Sequence, residues 1–299
     1  MINYSSPPII VCGMHRSGTT MLVDMLTKFG FFAGKNLDAN HEPFFFLRLN
    51  EWLMRRAGGS WDYPLPTKYF LENEAIFNEI SHLFKEALSS RWFGEYTGSY
   101  VQYVLNTDYS FPAHWGWKDP RNIFTLPVWL NIFPQAKIIY IKRNGIDVAN
   151  SLVVRTNTML EKKNSVLTDY NLFSRIKKAI IPFGMTSRVY RSSRCFDLES
   201  AYKLWEEYSE EADNLLKKIS DNRKFVIRYE DFLESPNTLL KEMLSFIDIE
   251  YSENYLCEVT NCINVKRSFA FKENDKLRLF FLQKRECNQM KISGYSDIV

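Results

Sequence analysis

Eight residues constrain this chain more than any others: Gly13-Met14-His15-Arg16-Ser17-Gly18-Thr19-Thr20. They follow a short apolar run, Ile9-Ile10-Val11-Cys12, and precede the amphipathic stretch Met21-Leu22-Val23-Asp24-Met25-Leu26. This pattern predicts a strand, a tight loop bounded by glycines, and a helix. Such a unit points several backbone N–H groups and a helix N-terminus at one anion. The spacing is that of a phosphate-binding loop, G-x-x-x-x-G, but Thr19 stands where nucleotide kinases and ATPases carry a lysine. Arg16, three residues earlier, supplies the positive charge instead.

The remaining pattern extends this unit into a larger fold. Lys137-Ile138-Ile139-Tyr140-Ile141 and Lys224-Phe225-Val226-Ile227-Arg228 read as strands, and Trp115 to Arg121 as a short strand followed by a loop. Helical stretches are expected from Glu74 to Leu88, Ile146 to Val154 and Leu198 to Ile219. Ser235-Pro236 opens a helix that runs through Phe246. Asn40-His41-Glu42-Pro43 reads as a helix start with Pro43 in the first turn, followed by Phe45, Phe46, Leu49, Trp52 and Leu53 at helical spacing. Strands alternating with helices predict an α/β fold: a P-loop-like, mostly parallel central sheet with helices on both faces. In such sheets ligands sit at the carboxyl ends of the strands, where the glycine loop and Arg143 fall. With 299 residues, no repeat and no Gly/Ser linker, the expectation is one domain over 1–299.

Bulk properties exclude several function classes. A net charge of +3 is too small for a nucleic-acid binder, and no basic stripe interleaves with stacking aromatics. The five cysteines are scattered and never spaced C-x-x-C, so neither a disulfide framework nor a metal site is indicated. No apolar run reaches the roughly 18 residues of a membrane span, and the first residues do not read as a signal peptide. A cytoplasmic protein with no transmembrane segment is the expectation.

Three blocks carry a resemblance to a known family. They are Arg16-Ser17-Gly18-Thr19-Thr20, then Arg143-Asn144-Gly145-Ile146-Asp147-Val148-Ala149-Asn150-Ser151, then Arg228-Tyr229-Glu230-Asp231-Phe232. In this order they resemble the sulfotransferases that use 3′-phosphoadenosine-5′-phosphosulfate (PAPS), over roughly residues 9 to 250. The glycine loop and Trp117-Lys118-Asp119-Pro120-Arg121 look closest to bacterial members acting on glycans or small metabolites. The resemblance implies that Arg16, Ser17, Gly18, Thr19 and Thr20 hold the 5′-phosphosulfate. It implies that Arg143 and Ser151 hold the 3′-phosphate and that Tyr229 contacts adenine. The product would be adenosine 3′,5′-bisphosphate, with no metal required.

The chemistry of these side chains agrees with that assignment. Loop amides, threonine hydroxyls and a guanidinium suit one anion, and Arg143 offers a rigid fork for a second. Residues 143 and 151 lie ~12 Å apart by helix rise, so a fold-back eased by Gly145 is needed for both to face one phosphate. Read alone, Ser151 is a mid-helix serine and Asp147 a first-turn carboxylate serving the helix N-terminus. Sulfuryl transfer needs charge stabilisation, for which Arg16 and Lys118 are the candidates, and a base for the acceptor hydroxyl. Glu42 is the first candidate base, His41 the second and His114 the third, while Asp119 reads as a turn-former.

The acceptor is expected to be a hydroxyl, on a carbohydrate or small metabolite. Trp52, Trp61, Trp92 and Trp115 are aromatics suited either to sugar stacking or to the core. The segment 155–197 is a candidate acceptor lid or insertion. From Arg155 to Arg194 it carries Lys162, Lys163, Arg175, Lys177, Lys178, Arg188, Arg191 and Arg194 against Glu161 and Asp169, a pattern equally suited to a solvated helical face. Lys266-Arg267 is a candidate supplement to the 3′-phosphate site. Two other readings stay open from the residues: an atypical P-loop kinase and a non-catalytic nucleotide-binding protein.

Overall fold

The computed structural model describes residues 6–98, 112–168, 192–261, 263 and 267–298, with the backbone alone for 162–168. Lys266 and most of the basic segment, including Arg175, Lys177, Lys178, Arg188 and Arg191, lie outside the described residues.

Four strands form one parallel sheet in the order β2-β1-β3-β4. They are β1 (Ile9–Cys12), β2 (Gly116–Lys118), β3 (Lys137–Lys142) and β4 (Lys224–Arg228). The register sets Ile10 beside both Trp117 and Ile138, and Tyr140 beside Val226. Side chains alternate between faces along each strand. Ile10, Cys12, Ile138 and Tyr140 join a core with Phe45, Phe46, Trp117, Trp129 and Trp205, whereas Ile9, Val11, Ile139 and Ile141 join a second core with Leu22, Leu26, Phe232 and Met243. Both faces are therefore covered, as the continuous apolar runs of β1 and β3 require.

The helices that matter for the site are α1 (Thr19–Lys28), α2 (Phe44–Arg56), α3 (Asn122–Ile132), α4 (Gly145–Thr168), α5 (Leu198–Leu216) and α6 (Tyr229–Glu234). The helix expected at Ser235-Pro236 runs Pro236–Phe246, but its serine makes no side-chain cap. The helix expected to start around Glu42 begins later. Pro43 is extended (φ −68°, ψ 128°) and the first turn of α2 holds no acidic residue, so Glu42 serves no helix dipole.

A buried polar hub fixes α2 against α3. The Asn50 amide donates to Asp119 Oδ2 (2.8 Å) and Asn122 Oδ1 (2.9 Å), and its oxygen accepts from Thr125 (2.8 Å) and Trp129 Nε1 (2.9 Å). A buried amide satisfied on both sides specifies one docking geometry. Phe46 stacks on Trp117 alongside it, with ring centroids 3.8 Å apart.

Candidate active site

The carboxyl ends of β1, β2, β3 and β4 are adjacent, and every candidate loop leaves the sheet there. In the loop after β1, the Ser17 amide and hydroxyl both donate to Met14 O, at 3.1 and 2.6 Å. Ser17 is thus a buried staple of the turn. The amides of Gly18, Thr19 and Thr20 have no acceptor among the described residues, as befits an open helix N-terminus. Gly18 adopts φ 100°, and a Cβ there would meet the Tyr229 ring at 2.6 Å, so the position demands glycine twice over. Arg16 holds φ 72°, a left-handed conformation that costs roughly 1–2 kcal/mol in a residue with a Cβ.

Two long-range bonds hold Arg16 in that conformation. Arg16 Nε donates to Ser151 Oγ (2.9 Å), and Arg143 donates to Arg16 O (3.1 Å). Arg16, Arg143 and Ser151 therefore converge although no local turn at Gly145 folds back. Gly145 instead opens α4, where a Cβ would strike the Trp205 ring at 2.6 Å, while Trp205 Nε1 donates to Arg143 O (3.1 Å). Burial and then the neighbouring Arg143 and Arg267 lower the proton affinity of Arg16. Arg143 Nε is buried with no partner among the described residues. Arg143 and Arg267 thus bring like charge close to Arg16, beside a donor with no partner among the described residues.

Tyr229, expected at adenine, is 4 % exposed, with the Arg143 guanidinium 4.5 Å above its ring and Gly18 at its edge. Its ring carries Arg143 on one face. Asn144 caps α4 through Ile146 N (2.9 Å), while its own amide donates to Glu230 Oε1 (2.9 Å). Tyr295 donates to the other Glu230 oxygen (2.7 Å), which ties the C-terminal segment to this loop. Asp147, in the first turn of α4 as expected, also reaches beyond its helix: it accepts from the amides of Ala270 (3.1 Å) and Phe271 (2.8 Å) and stands 3.8 Å from Arg143. It thereby holds the segment that carries Arg267.

Burial pushes the Asp147 carboxyl up to about 6. A raised folded-state value means that the stabilising proton is fully bound below the unfolded value and is lost as pH rises through 6. Chemical denaturation should accordingly find the wild type about 1 kcal/mol more stable at pH 5 than at pH 7 from this group. Asp147→Asn should lack that increment; an unchanged pH difference would contradict the assignment.

Glu42 occupies the third cluster, buried beside β2. Lys118 Nζ donates to Glu42 Oε1 (3.0 Å) and Arg121 to Glu42 Oε2 (3.0 Å), while Arg121 also reaches Asp119 (2.9 Å) and Glu51 (3.2 Å). Lys118 also donates to Asn40 O and to Thr20 Oγ1 (3.4 Å), so it sits at the N-terminus of α1. Burial foremost, then Asp119, raises the Glu42 pKa against the pull of Lys118 and Arg121. Asp119 accepts from Arg121 N (2.9 Å), two residues on, which is the turn-forming role read from the sequence.

The sequence matches the model of the sulfotransferase family over residues 7–253. The chain belongs to the sulfotransferase family. It is an enzyme that transfers a sulfuryl group, on the P-loop-like fold of that family. Its fold is similar to the sulfotransferase domain from the curacin biosynthetic pathway, with TM-score 0.51, 17% identity, and 94% of this chain and 98% of that chain covered. It is likewise similar to the sulfotransferase domain from the Synechococcus PCC 7002 olefin synthase, with TM-score 0.50, 15% identity, and 100% and 98% of the two chains covered. No curated protein matches the sequence.

Within this sulfotransferase the remaining candidates separate. His41 is left-handed (φ 60°) and pairs with Asp24 of α1. His114 lies before the first residue of β2, at the opposite end of the sheet from the glycine loop, where its carbonyl accepts from Phe32 N (2.8 Å). Trp115 is core, Trp92 donates to Glu95, and Trp52 lies beneath Arg56. Of these four tryptophans, Trp61 is the one at the catalytic end, with Arg155 5.5 Å over its ring. Arg194 is anchored by two 2.8 Å bonds to Glu207, a structural pair rather than an acceptor contact.

His15, Asn50, Arg121 and Glu230 were given no role by the sequence reading. Arg121 carried a signal, standing at a strand end three residues after Lys118. For Asn50 and Glu230 no local pattern distinguishes them from surface residues. No helix among the described residues is long and apolar enough to cross a membrane.

Proposed function

We propose that this sulfotransferase moves the sulfuryl group of PAPS to an acceptor hydroxyl on a carbohydrate, by in-line displacement. The meeting of Arg16 and Arg143, with Arg267 close by and Arg143 Nε buried and unpartnered among the described residues, carries the reading. A donor with a 3′-phosphate answers that cluster, and its 5′-phosphosulfate answers the open amides of Gly18, Thr19 and Thr20. When bound, PAPS supplies a sulfuryl group on a nucleotide-phosphate leaving group. Arg16 serves the donor beside Ser151, which leaves Lys118, at the N-terminus of α1, to stabilise charge on the transferred group. Glu42 takes the acceptor proton: a carboxylate whose pKa burial raises is a better base than a free one. Trp61 supports a sugar acceptor at this end. The described cysteines, all unpaired, support a cytoplasmic setting.

Calorimetric titration with adenosine 3′,5′-bisphosphate, ATP with Mg²⁺, and AMP tests the donor. The bisphosphate should bind tightest, and Arg143→Ala should weaken it about 10- to 100-fold through lost charge-assisted bonds. Preference for ATP with Mg²⁺, or indifference to Arg143→Ala, would overturn the reading.

A further inference from the structure

We propose that His15 orients the acceptor hydroxyl, its Nε2 bonding the acceptor beside the glycine loop and Trp61. The inference rests on the sulfotransfer reading and adds a residue to it.

Four observations converge on this side chain. Its Nε2 is buried and has no hydrogen-bond partner among the described residues, although buried polar atoms are rarely left so. Its ring stands edge-on to Trp61, with centroids 4.8 Å apart, and to Tyr208 at 6.0 Å. Tyr208 itself is satisfied, donating to Trp61 O (2.6 Å), so it does not serve the imidazole. The charges that act on His15 are Arg121, Arg155, Lys118 and Arg16, and the first and third of these are the two cations that hold Glu42. His15 and Glu42 thus both feel the charges of Lys118 and Arg121.

The two groups are driven in opposite directions. Burial and four cations hold His15 neutral, whereas burial raises Glu42. A neutral imidazole of low basicity is a poor proton sink but a fixed donor or acceptor for a hydroxyl, which is both. Glu42 accepts the proton while His15 fixes the direction from which the oxygen approaches. An acceptor matched to this site presents an uncharged hydroxyl, because an ammonium there would meet the same cations.

PAPS turnover by the whole protein tests this, with water alone and with added phenols, alkanols and aryl glycosides as acceptors. His15→Ala should raise the acceptor KM about tenfold, or slow hydrolysis by the same factor, as one lost hydrogen bond implies. Adenosine 3′,5′-bisphosphate affinity by calorimetry should stay at the wild-type value. His15→Gln, which restores a polar atom near Nε2, should recover most of the loss. In ¹⁵N spectra the His15 ring should titrate below the ordinary imidazole range. Wild-type turnover in His15→Ala, equal losses in the Gln and Ala variants, or an imidazole that titrates across that range would overturn the inference. Absence of PAPS turnover in the wild type with every acceptor would overturn the sulfotransfer reading itself.

Discussion

Lys118→Met should lower turnover about 10²- to 10³-fold, the typical loss for one preorganised charge donor. The ammonium is 1 % exposed and is aimed by Glu42, Asn40 O and Thr20 into the N-terminus of α1, where it meets no bulk water. Charge that develops there is stabilised without reorganising solvent. Methionine keeps the length and apolar stem, and Arg121 still pairs with Glu42, so the carboxylate is not left unopposed in the core. The variant should therefore fold and bind adenosine 3′,5′-bisphosphate near the wild-type affinity. Single-turnover kinetics separate the outcomes. A loss confined to the chemical step supports the assignment, whereas turnover within about tenfold of wild type would remove Lys118 from the chemistry.

Glu42→Gln should have the next largest effect, lowering turnover about 10²- to 10⁴-fold, the range for a general base. The substitution keeps the shape of a side chain 3 % exposed and leaves Arg121 its bonds to Asp119 and Glu51. The pH profile gives a second test. Burial raises the Glu42 pKa above that of a free glutamate, so wild-type activity should fall as pH drops through that raised value and the base becomes protonated. The Gln variant should lose this acid limb. Stability runs the other way, since the proton on Glu42 favours the fold below the unfolded pKa and is lost as pH rises through the folded one. Full activity in Glu42→Gln would reassign the base; His41, the next candidate, is paired with Asp24.

Much of this architecture is written in short stretches of sequence. The glycine-bounded loop, the apolar runs of β1 and β3, strand β4 and the proline-started helix at Pro236 follow from side-chain period and from the chemistry of glycine and proline. These act over a few neighbouring residues. The approximate place of the site follows too, because the carboxyl ends of parallel strands face one way. Where local signals compete, the boundary shifts by one residue: Pro43, expected in the first turn, is the extended residue just before α2.

The partners within the site were not legible in this way. Arg16 finds Ser151 across 135 residues, and Glu42 finds Lys118 and Arg121 across 76 and 79. Ser17 turns its hydroxyl back to its own loop, and Asp147 reaches beyond its helix to the amides of Ala270 and Phe271. Sequence by itself determined a parallel α/β sulfotransferase fold with an anion cradle after β1, since backbone geometry and hydrophobic period are local properties. Only the tertiary structure decided which charge meets which, because the strand order β2-β1-β3-β4 sets the neighbours of each loop and electrostatic pairing depends on distance in space rather than along the chain.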